Sequence, residues 1–285
     1  MDKPSSRVRI VTDTTAGLPM EFAKANDIEV VPQVVLLGDE SYLEFYELAY
    51  QDFLQWIYSS KEMPKTAAPP PGEFIVAYER QLSKGETILS IHPSSEVSGT
   101  VRSAQAAKAD AFPDADIRIL DTRTVGSNLA SMVIEAQSMA DAGCSPDEIM
   151  DHLRAMMERS KTYFLVSTLE YLRRGGRIGG ASALVGSALR VKPILHLVDG
   201  RVDVFEKVRT QHKAYERMME LITSQCADAP DANLSIMQAD SMRLAKQFRA
   251  DLCEKLGITD IPILEAGAAI TTHAGPGVLA LGFFH

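Results

Sequence analysis

Four short segments of this chain carry residue types that can do chemistry. The first is His92-Pro93-Ser94-Ser95-Glu96-Val97-Ser98-Gly99-Thr100, where hydroxyls cluster between an apolar run and a helix-like run. Ser95, Ser98 and Gly99 would sit where a strand ends and a helix begins. Free N–H groups and a partial positive charge at a helix start suit a carboxylate or a phosphate. A helix simply capped by serine gives the same pattern. The second segment is Thr66, at the head of Thr66-Ala67-Ala68-Pro69-Pro70-Pro71-Gly72. Prolines fix φ, so a hydroxyl there would be held in a preset place. A loop threonine facing water is the plainer alternative.

The third segment is Arg173-Arg174-Gly175-Gly176-Arg177. Arg177 could pair with an anion or orient the groups that do, and Arg173 and Arg174 could serve a partner surface. A helix closed by glycine, with arginines drawn to its dipole, reads the same way. The fourth is Thr271-Thr272-His273-Ala274-Gly275-Pro276-Gly277. His273 could donate to an anion, act as a base, or be structural.

Several chemistries find no support. There is no GxxxxGK[ST], no HExxH, no paired CxxC and no GxSxG. Gly175–Gly180 reads GGRIGG and Gly275–Gly282 reads GPGVLALG, so neither is a dinucleotide fingerprint. No metal is expected, and Ser98 has no triad visible in the sequence.

The elements that must position these residues follow from pattern. Val8–Thr12, Glu86–His92 and Ile117–Asp121 read as buried strands, and Ile28–Leu36 as a strand interrupted by Pro32. Thr14 or Thr15 would cap a helix starting near Leu18-Pro19. Helices are expected over Tyr46–Ser60, Glu73–Lys84, Ser98–Phe112 and Asn128–Ala142. Another begins at Ser145-Pro146-Asp147-Glu148, a capping box with proline at the first position. This alternation predicts a parallel sheet covered on both faces. Further on, Lys192–Val198 and Arg201–Val208 flank an Asp199-Gly200 turn and predict a hairpin. Helices follow over Gln211–Ala227 and Met242–Leu256, with strands at Leu234–Gln238 and Ile261–Glu265. Val278–Phe284 is expected to continue as an apolar helix.

The chain has 285 residues, 46% apolar and 24% charged, with a net charge of -9. That length predicts two α/β domains, 1–160 and 161–285. The acidic balance argues against general nucleic-acid binding. The three cysteines lack metal spacing and fit a reducing cytoplasm. No signal peptide is read at the start, and no run approaches the roughly 18 apolar residues of a membrane span.

Taken in order, these segments resemble the DegV family of fatty-acid-binding proteins. The resemblance is carried by Val11-Thr12-Asp13-Thr14-Thr15-Ala16, by Thr66 with Pro69-x-Pro71-Gly72-Glu73-Phe74, and by Ser94-Ser95-x-x-Ser98-Gly99-Thr100. Leu172-Arg173-Arg174-Gly175-Gly176-Arg177-Ile178, Lys192-Pro193-Ile194-Leu195 and Thr272-His273-x-Gly275-Pro276-Gly277 complete it. It implies an N-terminal three-layer α/β/α domain with a parallel sheet and a C-terminal α/β sandwich domain. A long-chain fatty acid would lie buried in a tunnel between them.

The carboxylate would be held by Thr66 and Ser98, with Ser95 as the second choice, Gly99 in the same turn, and His273 and Arg177 nearby. The resemblance implies no catalysis and no cofactor. It further implies a separate fatty acid kinase that receives the acid for acyl-phosphate formation, docked through Arg209. The usual family loop reads TSQPS, so Ala67 and Ala68 remove two polar side chains beside the head group. Gly179 stands where serine is common. Ala183–Leu189 and Val278–Phe284 are candidate tunnel walls. Each buried methylene would contribute about 0.8 kcal/mol. The alternative is a phosphoryl- or acyl-transfer enzyme, with glycine-rich turns on phosphate and His273 as base. A regulatory protein controlled by an apolar ligand is a third reading.

Overall fold

The computed structural model of the chain describes residues 8–184, 191–226 and 232–285. The first half alternates strand and helix as the pattern predicts. It runs β1 (Val8–Asp13), α1 (Met20–Ala25), β2 (Glu29–Val31), β3 (Val34–Leu37), β4 (Glu40–Leu43) and α2 (Tyr50–Ser59). Then come β5 (Lys65–Ala67), α3 (Pro71–Leu82), β6 (Thr87–His92), α4 (Thr100–Ala111) and β7 (Asp116–Asp121). Helices α5 (Ser127–Asp141) and α6 (Pro146–Arg159) follow. The second half holds β8 (Ser160–Leu165), α7 (Glu170–Arg174), β9 (Lys192–Val198), β10 (Arg201–Val208) and α8 (Gln211–Cys226). It ends with β11 (Ser235–Gln238), α9 (Met242–Leu256), β12 (Ile263–Glu265), α10 (Ala268–Ala274) and β13 (Leu279–Phe284).

Among the described residues the strands form three sheets. The order β2-β1-β6-β7 is parallel throughout. Both faces are covered, which is why its strands are apolar without alternation. Val11, Ile88 and Ile117 meet Phe74, Tyr78 and Ala104 of α3 and α4. Ile10, Leu89 and Ile91 meet Leu129, Val133 and Leu153 of α5 and α6. This is a three-layer α/β/α arrangement. The six-stranded sheet, β10-β9-β8-β13-β11-β12, is mixed, with only β11 and β12 parallel among its pairs. One face packs on α8 and α9 through Met218, Ile222, Phe248 and Leu252. The other, with Phe164, Leu195, Met237 and Val278, turns toward the parallel-sheet half.

The third sheet, β4-β3-β5, explains Pro32. A proline cannot donate to a ladder. The Ile28–Leu36 run therefore breaks there, placing Glu29–Val31 in the parallel sheet and Val34–Leu37 at the centre of the small antiparallel one. Two helix expectations fail. Val278–Phe284 is not helical: Leu279–Phe284 is a strand between β8 and β11, buried on both faces. A strand with both faces covered shows no alternation, so its apolar run reads like a buried helix. Thr14 and Thr15 do not cap a helix near Leu18 either. They form a 3₁₀ turn capped by the Asp13 side chain, and α1 starts at Met20 without a side-chain cap. Of the expected tunnel wall 183–189, residues 185–189 lie outside the described residues.

Helix α5 stands between the two large sheets. Asn128 Nδ2 donates to Ser160 Oγ at 2.8 Å and to the Lys161 carbonyl at 2.9 Å. Phe284, at the end of β13, sits in the core of the parallel-sheet half. Gly282 lets this strand lie against α5, because a Cβ there would collide with Asn128 Oδ1 and Ser127 Oγ. Gly282→Ala should therefore destabilise the protein by roughly 1–3 kcal/mol, as overpacking does. Urea denaturation checks this, with an unchanged midpoint as the contrary result.

Candidate functional site

A cavity of about 150 Å³ lies between the N-terminal ends of α4 and α5, helix α10 and the inward face of the six-stranded sheet. Most of its wall is apolar, with Phe164, Leu172, Leu197, Met237, Ile270 and Val278. Thr66, Ser98, Gly99, Arg177 and His273 line it as well. Five of the residues singled out in the sequence thus share one cavity, although they come from four separate places in the chain.

Each is delivered by a definite element. The start of the proline-rich loop is strand β5, and Thr66 is fixed opposite Val35 in its ladder. Helix α3 then begins at Pro71, the favoured place for proline. The N-cap of α4 is Gly99, not Ser98, and it makes no side-chain cap bond. A Cβ on Gly99 would lie 3.3 Å from the Ala68 Cβ, so the serine turn and the proline-rich loop pack closely. Ser98 Oγ is 2.7 Å from Thr100 Oγ1 and accepts the Thr100 N–H at 3.3 Å. Ala68 lines the cavity and adds to its apolar wall.

His273 is carried by α10, 207 residues from Thr66 in sequence, with Nε2 2.7 Å from Thr66 Oγ1. Its Nδ1 is buried without a partner. The Nε2–Oγ1 bond couples the imidazole to the Thr66 hydroxyl at the cavity wall. Burial, with Arg177 nearby, pulls the imidazole down to about 4, so it is neutral near pH 7. Arg177 is half-buried; Nε donates to the Val97 carbonyl at 3.0 Å and Nη1 to the Gly175 carbonyl at 2.6 Å. Among the described residues no carboxylate pairs with it.

Other expected residues lie elsewhere. Ser95 is exposed and donates to Asp121 Oδ2 at 2.5 Å, away from the cavity. Arg173 and Arg174 are exposed and share Glu170. Arg209 is exposed just after β10. Sequence reasoning missed Thr15, Gln33 and Met237 in the wall. A polar residue directly after Pro32 within an apolar run was the available signal for Gln33. Among the described residues, no group of three His, Cys, Asp or Glu side chains could hold a metal.

Helix α10 is tied down by Glu44, which is buried and accepts the Ala269 N–H at 2.8 Å and the Thr14 hydroxyl. Burial pushes its carboxyl up to about 7, from 4.5. A raised carboxyl stabilises the fold at low pH, and that contribution is lost as pH rises from 4.5 through 7. His273 works oppositely: its depressed value makes stability fall as pH drops from 6.5 through about 4. Each contribution is at most about 3 kcal/mol. Glu44→Gln should remove a stability loss that grows between pH 4.5 and 7, and His273→Asn one that grows as pH falls below 6.5. Denaturant titrations across pH check both slopes; parallel wild-type and variant profiles would contradict them.

The fold and the cavity define a class: an α/β protein with an apolar chamber between two sheets and polar groups clustered on part of its wall. The DegV family profile matches residues 7–285, and the chain belongs to that family. A DegV domain-containing protein of Halalkalibacterium halodurans is 34% identical over 280 residues, covering 98% of this chain and 99% of its own. A fatty-acid-binding DegV family protein from Thermus thermophilus has the same fold, with a TM-score of 0.90 at 30% identity, over 98% of this chain and 99% of its own. DegV, a fatty acid binding protein from Bacillus subtilis, superposes with a TM-score of 0.89 at 32% identity, over 99% of this chain and all of its own.

Proposed function

We propose that this chain binds a long-chain fatty acid in the cavity, its carboxylate held by the Thr66 and Ser98 hydroxyls and its tail along the apolar wall. The observation that carries this reading is one apolar-walled cavity in which the Thr66 and Ser98 hydroxyls, a neutral imidazole and an arginine without a carboxylate partner among the described residues come together. A buried anion without donors is costly, and hydrogen bonds to a charged group are among the strongest. The solved relatives from Thermus thermophilus and Bacillus subtilis are described as fatty acid binding. Arg177 supplies positive charge beside the head group, and Gly99 lets the α4 N-terminus approach it. In the same reading the ligand spans residues 1–160 and 161–285 as two domains, and a separate fatty acid kinase receives it at the surface marked by Arg209.

Organic extraction of the purified protein followed by mass spectrometry should recover fatty acid, or the protein should take up added hexadecanoate. Neither outcome appearing would sink the proposal. Ser98→Ala should weaken hexadecanoate binding by roughly 1–3 kcal/mol, the loss of one hydrogen bond to a charged group. Unchanged affinity in calorimetry would move the head group elsewhere. Arg209→Glu should abolish co-elution with such a kinase.

A further inference from the structure

Behind Ser98 lies a line of buried polar side chains that never reaches solvent. Thr100 Oγ1 accepts from Gln33 Nε2 at 2.8 Å. The same nitrogen donates to Asp13 Oδ1 at 3.0 Å. Asp13 Oδ1 also receives the Thr15 N–H at 3.0 Å and the Thr15 hydroxyl at 2.6 Å. Its Oδ2 receives His92 Nδ1–H at 2.8 Å. His92 Nε2 lies 2.6 Å from Ser90 Oγ, and Ser90 Oγ lies 2.8 Å from the Tyr78 hydroxyl. Asp13, Tyr78, Ser90, His92 and Thr100 are fully buried, and Gln33 nearly so.

Between Asp13 and Ser98 the direction of each hydrogen is set by the carboxylate. A carboxylate only accepts, and four donors converge on Asp13. Gln33 must therefore present its NH₂ to Asp13, which turns the second N–H onto Thr100. The Thr100 hydroxyl now needs an acceptor for its own hydrogen. Its one other hydrogen-bond neighbour among the described residues is Ser98 Oγ, so it donates there. Ser98 already accepts the Thr100 backbone N–H. With both lone pairs of Ser98 occupied, its hydrogen is left for the cavity.

We infer that Gln33 and Thr100 are positioning residues that aim the Ser98 hydroxyl outward as a donor. Ser98 then gives a hydrogen to the cavity and accepts none. It favours an ionised carboxylate, which only accepts, over a neutral head of similar size such as an alcohol, which must also place a hydrogen. This rests on the fatty-acid reading above and extends it to specificity.

The test compares hexadecanoate with hexadecan-1-ol by calorimetry on wild type, Thr100→Val and Thr100→Ser. Valine keeps the shape of threonine but frees Ser98 to rotate, so the acid-over-alcohol preference should fall about tenfold, one hydrogen bond to a charge. Serine keeps the hydroxyl, so Thr100→Ser should retain the wild-type preference. A merely structural role would weaken both ligands together and leave the ratio alone. Should circular dichroism show Thr100→Val unfolded, Gln33→Met carries the same expectation. Wild type that prefers the acid, with Thr100→Val or Gln33→Met keeping that preference, overturns the inference alone. Wild type that fails to bind hexadecanoate overturns the fatty-acid reading, and this inference with it.

Discussion

A carboxylate that is wholly removed from water must have its oxygens filled with donors, and Asp13 imposes that constraint on the centre of this fold. An unpaired buried charge is far too costly to persist. Its four donors come from the turn after β1, the link between β2 and β3, and the end of β6. Those elements cannot drift apart without stranding the charge. They are also the elements that deliver Thr15, Gln33 and, through Thr100, Ser98 to the cavity wall. In the proposed reading, satisfying this anion prepares donors for another.

The placement follows from topology. From β1 the chain moves outward to β2, and from β6 it moves the other way to β7. Adjacent β1 and β6 therefore mark a switch point, where the loops at the carboxyl ends diverge and leave a crevice. Asp13 ends β1 and His92 ends β6. The six-stranded sheet covers this crevice with its second face, converting an open cleft into a chamber. The hairpin of β9 and β10 holds that cover in place. Its Asp199 carbonyl accepts from Arg123 Nη2 at 2.5 Å, and Arg201 Nε donates to Glu96 at 2.5 Å.

Much of this was legible in the sequence because local chemistry decided it. Buried parallel strands, the Ser145 capping box and the Asp199-Gly200 hairpin are short-range signals, and each appears. The site residues were legible as residue types but not as partners. Thr66 and His273 meet across 207 positions, a pairing that no spacing rule contains. Ser98 was ranked ahead of Ser95 by resemblance alone, and the structure turns Ser95 away to Asp121. The strand Leu279–Phe284 was misread because a strand buried on both faces loses its alternation. Gln33 was passed over, and Thr100 stood in the serine-rich segment without a role, since the positioning inferred for them depends on a buried partner at the end of another strand.

The central claim is that an anionic head group is held at the hydroxyl end of an apolar chamber. A crystal structure of the protein with hexadecanoate bound tests it most directly. The account predicts a carboxylate within hydrogen-bond distance of both Thr66 Oγ1 and Ser98 Oγ, with the tail running past Met237 and Ile270. A carboxylate at the Ser127 and Thr162 part of the wall, with the tail toward Ser98, would contradict it.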